Sequence, residues 1–311
     1  MTPPPIRRAL LVVNPAARSS ARGERRTLAA FARAGVACEL RHTERPGHAA
    51  ELAAALGASP LGAGALGAID AVFTLGGDGT AMEVVGALAG TGVPVGVLPG
   101  GTGNLVARTL GTPRDAGRAV AALLGGRVAR VDLGVVRAAG SGPARHFAFS
   151  AGVGVDAYMI GQTPARWKRR FGIPAYAFMA ARAVFAGERF PVHVTADDRE
   201  WRGRAAAVMV VNFGAILGDL LPFGPDILAD DGRLDLCVFA PRSAADAVRV
   251  LARLARRDFR PDPALVYLPG HTFRIVPDQP QPAQADGEML GLTPLTVRVA
   301  PLAATLLIPR R

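Results

Sequence analysis

Ala71-Val72-Phe73-Thr74-Leu75-Gly76-Gly77-Asp78-Gly79-Thr80, running on into Ala81-Met82-Glu83-Val84-Val85, decides how the rest of the chain is read. The apolar, β-branched half predicts a buried strand, and the Ala, Met and Val that follow predict a helix. Between them, the glycines predict backbone with positive φ and close approach to a ligand. Backbone N–H groups at the start of the helix predict an anion site. Asp78 would repel a phosphate there unless a divalent cation lies between them, so the turn reads as a holder of Mg²⁺ and a nucleoside triphosphate. A glycine-rich strand–helix turn without a ligand is the competing reading.

Upstream, residues 9–13 predict a strand stopped by Asn14-Pro15, followed by a helix over 22–34. A second strand over 36–41 ends at His42-Thr43, and a helix follows over 46–56. Downstream, the helix after Thr80 runs to about 89. A fourth strand over 93–98 ends in Pro99-Gly100-Gly101-Thr102-Gly103-Asn104 and enters a helix at Leu105. This rhythm predicts an N-terminal, doubly wound, mostly parallel α/β domain. Ligands of such sheets sit beyond the carboxyl ends of the strands, where Asn14, Thr43, Asp78 and Thr102 fall.

After Gly125-Gly126 the pattern becomes strand-like, over 128–136, 146–150, 192–196, 205–213, 234–239, 272–276 and 295–300, with helices over 174–186 and 244–256. The expected second domain is mostly antiparallel and β-rich. The division falls at 1–130 and 131–302, with a last strand within 303–311 returning to the first domain. Residues 278–285, with two prolines and three glutamines, read as a flexible loop.

Composition narrows the function. The 311 residues carry a net charge of +11, which favours an anionic partner. Lys168 is the single lysine, which excludes both a G-x-x-x-x-G-K-[ST] phosphate loop and a protein-kinase strand lysine. Cys38 and Cys237 have neither paired nor metal-like spacing and read as reduced, cytoplasmic thiols. No signal peptide is read in residues 1–8, and the apolar stretches 173–187 and 205–218 are too short to span a bilayer. Gly152-x-Gly154-x-x-Ala157 imitates a dinucleotide fingerprint, but no acid follows about 20 residues on after a second strand. Nucleic acid is disfavoured because no aromatic stacking pattern accompanies the charge.

Six motifs in order resemble one family: Val13-Asn14-Pro15, Gly76–Thr80, Pro99–Asn104, Gly152-Val153-Gly154-Val155-Asp156, Asp231-Gly232-Arg233-Leu234-Asp235 and Asp286-Gly287-Glu288. The chain resembles the bacterial diacylglycerol kinase-like lipid kinases, relatives of sphingosine and NAD kinases. The resemblance implies ATP-dependent, Mg²⁺-dependent phosphorylation of a lipid hydroxyl. It would place Asn14, Pro15, Ala16, Ala17, Arg18, Thr43, Gly76, Gly77, Asp78, Gly79, Thr80, Ala81, Met82 and Thr102 around ATP. Asp78 would hold the catalytic Mg²⁺, and Glu288 would be the general base with Asp286 beside it. A second, structural Mg²⁺ would take Asp231 and the carbonyls of Leu228 and Arg233. Where many relatives have Asp after the Gly-Thr motif this chain has Leu105, which shifts the metal-associated carboxylates to Asp78 and Asp132. The second domain would then receive the lipid. An NAD kinase-like enzyme and a non-catalytic nucleotide-binding regulator are the alternatives.

Residues 161–190, with Arg166-Trp167-Lys168-Arg169-Arg170-Phe171, read as a segment that meets anionic lipid headgroups. The expected station is cytoplasmic and peripheral to the membrane, with a lipid substrate at an anionic surface and a homodimer left open.

Overall fold

The computed structural model describes residues 5–17, 20–57, 69–154, 189–213, 215–216, 221–222, 224 and 226–310. The chain divides into unit 1, Met1–Val131 with Leu302–Arg311, and unit 2, Asp132–Pro301. Arg18, Asp156 and nearly all of the basic segment 161–190, with the helix expected over 174–186, lie outside the described residues.

Unit 1 alternates β1 (Arg8–Val13), α1 (Ser20–Arg33), β2 (Ala37–His42), α2 (His48–Gly57), β3 (Ala71–Gly76), α3 (Asp78–Ala87) and β4 (Val95–Pro99), then α4 (Leu105–Thr109) and α5 (Ala116–Leu124). The strands are parallel in the order β2-β1-β3-β4. Residues 9–13 and the whole of β3 are buried, as continuous apolar runs must be when helices cover both faces of a sheet. On one face Phe31 of α1 and Val120 and Leu123 of α5 close over Leu11, Phe73 and Leu75, with the rings of Phe31 and Phe73 edge to face at 4.9 Å. On the other, α2 packs on α3, whose Glu83 carboxylate accepts the N–H groups of Gly47 and Ala49 at the start of α2. The register pairs Val13 with His42 and with Leu75, and Gly76 with Pro99, so the carboxyl ends of all four strands lie level.

Unit 2 is built from antiparallel strands. β5 (Arg127–Ala139) enters it from unit 1 and is followed by β6 (Arg145–Phe147), β7 (Ser150–Gly154), β8 (Phe190–Ala196), β9 (Arg199–Ala205) and β10 (Ala207–Val211). After the two-residue strands β11 (Ala215–Ile216) and β12 (Leu221–Pro222) come β13 (Leu234–Phe239), α6 (Ala244–Ala255), β14 (Leu265–Gly270), β15 (Thr272–Pro277), β16 (Pro282–Ala285) and β17 (Glu288–Ile308). One path runs β14-β13-β10-β7-β16-β17; β15 joins β17 to β8, and β9 pairs with β8. The core gathers Phe147, Val153, Val194, Val208, Leu234, Leu236, Ile275 and Leu295. Alternate residues of β8 are buried, the period-2 pattern of a sheet with one face on a core.

Three sequence expectations are corrected. Residues 282–285 form β16, paired to both β7 and β17 with Ala283 and Gln284 fully buried. Proline is tolerated there because it is the strand's first residue. The run 205–213 divides at Ala206 into β9 and β10. The segments 295–300 and 304–308 are one strand, whose Leu306 pairs in parallel with Val95 of β4.

Candidate active site

At the carboxyl edge of the unit 1 sheet the sequence motifs are bonded to one another. The Asn14 N–H donates to the Leu75 carbonyl at 3.0 Å, and its Oδ1 accepts the Ala16 N–H at 3.0 Å, an Asx turn that bends the chain at Pro15. Asn14 Nδ2 donates to Thr80 Oγ1 at 3.2 Å, tying β1 to the first turn of α3. Thr43 extends the edge, its N–H donating to the Val13 carbonyl at 2.9 Å. Pro15, Ala16 and Thr102 are exposed, whereas Ala81 and Met82 are buried and leave a ligand little but their backbone.

The two glycine turns interlock. Gly100 donates its N–H to the Gly76 carbonyl at 3.0 Å. A methyl group added at Gly101 would stand 2.5 Å from Gly77 Cα, and one at Gly100 would stand 2.8 Å from the Gly76 nitrogen. None of Gly76, Gly77, Gly79, Gly100, Gly101 or Gly103 has a positive φ; the left-handed residue of the region is Asn104, at φ 49°. The expectation that Gly76, Gly77 and Gly79 supply left-handed backbone is therefore corrected; Gly77, Gly100 and Gly101 are small because two turns touch. Asn104 braces its own turn, accepting the Gly101 N–H at 2.8 Å and donating to the Gly101 carbonyl at 2.9 Å.

Asp78 stands at the junction. Its Oδ1 accepts the Val106 N–H at 3.0 Å, so the carboxylate caps α4. Burial raises its pKa, against the lowering pull of the backbone amides of Val106, Leu105 and Asn104. Leu105, the departure from the family pattern, thus offers Asp78 a backbone amide. The start of α3 is held by Gly77 with no side-chain cap, and a helix N-terminus of this kind favours an anion. An uncapped helix start beside a half-buried carboxylate is a donor set that a metal–triphosphate fits.

In unit 2, Asp286 and Gly287 form the two-residue tip of the β16–β17 hairpin, both with positive φ (46° and 89°), where Ala285 pairs with Glu288. The Asp286 carboxylate accepts the N–H groups of Ala148 (2.7 Å), Phe149 (2.8 Å) and Ser150 (3.0 Å). Its own N–H donates to the Ser150 carbonyl at 2.8 Å, and the buried Gln284 accepts the Gly287 N–H at 3.0 Å. Asp286 is thus a peg that ties the hairpin tip to residues 148–150, each of its oxygens accepting backbone N–H groups. Glu288 follows the tip as the first residue of β17, half exposed, with Arg145 Nη2 at 3.1 Å from its Oε2.

The expected metal ligands of this unit are separated in character. Asp132 is fully buried and its Oδ2 accepts the Gly232 N–H at 2.7 Å, which ties β5 to the loop before β13. The buried Asn212 donates to the carbonyls of Asp132 (2.7 Å) and Ala148 (3.0 Å). Asp231 is exposed and its Oδ1 accepts the Arg233 N–H at 3.0 Å; Leu228 is also exposed. Asp235 nearby is pushed up to about 6 by burial and by the charge of Asp231. Asp231 with the carbonyls of Leu228 and Arg233 is an oxygen set of the kind Mg²⁺ takes. Among the described residues, three or more His, Cys, Asp or Glu side chains nowhere gather into a metal cage. Arg145, Asn212 and Gln284 were missed from sequence, since no motif contains them.

A parallel α/β unit with an uncapped helix start at the carboxyl edge of its sheet, followed by an antiparallel β-rich unit, defines a two-unit α/β plus β architecture. Residues 8–136 match the diacylglycerol kinase catalytic domain, and residues 150–308 match the YegS C-terminal NAD kinase beta sandwich-like domain. The chain belongs to the diacylglycerol kinase-like lipid kinase family. It is 27% identical over 233 residues to the diacylglycerol kinase of Bacillus subtilis, covering 74% of this chain and 75% of that one. An uncharacterized protein of Synechocystis is 26% identical over 244 residues, 76% of this chain; the match spans about half of that protein's length (54%). A crystal structure of a provisionally assigned diacylglycerol kinase from Bacillus anthracis shares the fold, with a TM-score of 0.78, 24% identity, and 98% and 96% of the two chains covered.

Proposed function

We propose that the chain transfers the γ-phosphate of ATP to the hydroxyl of diacylglycerol or a related lipid, with Mg²⁺. The observation that carries this reading is the bonded edge of unit 1, where Asn14, the Gly76–Thr80 turn and the uncapped start of α3 meet. In this reading the first-turn amides of α3 take a phosphate, and Asn14, Thr43 and Thr102 border the nucleotide. Asp78 would hold the Mg²⁺, which when bound offsets the negative charge of the triphosphate. Asp231 and the carbonyls of Leu228 and Arg233 would hold a second, structural ion. Glu288 takes the proton of the lipid hydroxyl late in the transfer, while Arg145 orients its carboxylate. Asp286 serves by holding the hairpin that carries Glu288.

The proposed station is the cytoplasmic, anionic face of a membrane. Among the described residues no helix is long and apolar enough to cross one.

The test is transfer of labelled phosphate from ATP to diacylglycerol, to extracted lipids and to NAD. Lipid phosphorylation that Glu288→Gln reduces about 100-fold or more is expected. Transfer to NAD alone would establish the NAD kinase-like alternative, and nucleotide binding without transfer to any acceptor would establish a regulator.

A further inference from the structure

We propose that the groove between α1 and α5 docks unit 1 on the surface of an anionic phospholipid bilayer. Arg22, Arg25, Arg26 and Arg33 lie with Ala29 on one exposed stripe of α1, at the spacing that stacks side chains on a single helix face. Arg118 faces them from α5, and the groove between has a volume of about 850 Å³ over a floor of Ala29, Gly117 and Ala121. Among the described residues Asp115 is the one acid in the lining, and it is engaged by Arg26. Glu24, on the same helix, is turned to His42. Arg22, Arg25, Arg33 and Arg118 have no carboxylate partner among the described residues.

The groove is close-walled because small residues let the helices touch. A methyl group at Gly117 would stand 3.4 Å from the Arg26 carbonyl oxygen. One at Gly23 would stand 3.3 Å from Leu75, near the end of β3, and 3.8 Å from Ala116, the first residue of α5. The first turns of both helices therefore lie at the carboxyl end of the sheet, the edge that carries the nucleotide motifs.

Charge complementarity selects the occupant. Positions 22 to 33 span about 16 Å at the helical rise, too far for one phosphate to engage every arginine, whereas a headgroup layer offers many. Among the described residues no aromatic side chain lines the groove, so single-stranded nucleic acid lacks a stacking platform. The inference rests on the lipid kinase reading: substrate and phosphorylated product would lie in the same bilayer, and Arg22 and Arg118, in the first turns of the two helices, set the nucleotide edge beside it.

The full chain, without nucleotide, is to be sedimented with vesicles of phosphatidylcholine alone and with about one third phosphatidylglycerol or phosphatidic acid. Binding to the anionic vesicles that weakens with added salt is expected, and about tenfold or greater loss in Arg22→Glu/Arg25→Glu/Arg33→Glu. The corresponding Arg→Lys triple variant keeps binding, as does Arg199→Glu/Arg202→Glu on β9. Should the glutamate triple variant melt early, Arg25→Gln/Arg33→Gln serves in its place with a smaller loss expected. Wild-type indifference to anionic lipid, or a glutamate triple variant that binds like wild type, overturns the proposal. So does a lysine triple variant as weak as the glutamate one, or a groove-dependent affinity for an oligonucleotide that exceeds that for vesicles. Turnover separates the two readings: in detergent micelles the glutamate triple variant should match wild type and lose activity only on anionic vesicles. No turnover by wild type in micelles, with vesicle binding intact, would remove the kinase reading and leave the docking surface standing.

Discussion

Asp286 accepts the Phe149 N–H at 2.8 Å across 137 positions of sequence. With the amides of Ala148 and Ser150 on the same carboxylate, this contact fixes the hairpin tip that Glu288 follows. Asp286→Ala leaves three backbone donors to find water and should cost about 2–4 kcal/mol. Thermal unfolding should show the loss, and Asp286→Asn, which retains an acceptor, should lose less. An alanine variant that melts like wild type yet is inactive would return Asp286 to a direct chemical role.

Glu288 and Arg145 are each about half exposed, so their ion pair should add no more than about 1 kcal/mol. Glu288→Gln is expected to leave the melting temperature within error while kcat falls. Unchanged turnover in that variant would remove the proposed base.

Asp78 has a capping part and a proposed metal part. Asp78→Ala should lose the cap of α4, about 1 kcal/mol, together with activity. Asp78→Asn retains an oxygen for the Val106 N–H and should unfold like wild type while losing activity. If Asn restores turnover, the charge of Asp78 is not what the site uses.

The interlock of the glycine turns predicts intolerance at one position and indifference at another. Gly101→Ala meets Gly77 Cα, an unyielding backbone atom, and should destabilise by about 1–3 kcal/mol or more. Gly142→Ala, where an added methyl meets open space, should be nearly neutral. Urea unfolding midpoints compare the two directly.

His146 carries a pH dependence. Its pKa is lowered first by burial and then by the charge of Arg298. Below the ordinary value of 6.5 the unfolded chain therefore binds more protons than the folded one, so stability should fall as pH drops through about 6.5 and below. His146→Gln should flatten that part of the stability profile. A profile unaltered by the substitution would show that the imidazole does not report its surroundings.

The alternation of apolar runs with glycine turns was enough to read the parallel sheet of unit 1, because helix and strand periodicity and turn chemistry act within a few residues. The six ordered motifs were enough to name the family, and Glu288 stood out only through them. The expectation of a loop over 278–285 followed from its polar, proline-rich composition, whereas 282–285 form β16 because their pairing partners, Ala151 to Val153 and Glu288 to Leu292, supply a buried place in the sheet. The same limit governs the site. Sequence alone determined that Asn14, the Gly76–Thr80 turn and Thr102 end successive strands. Only the tertiary structure decided that Asn14 holds Thr80, that glycines 77 and 101 are small for each other, and that Asp286 is a peg. Such contacts join residues whose local sequences carry no trace of one another; they exist only once packing has brought distant backbone together.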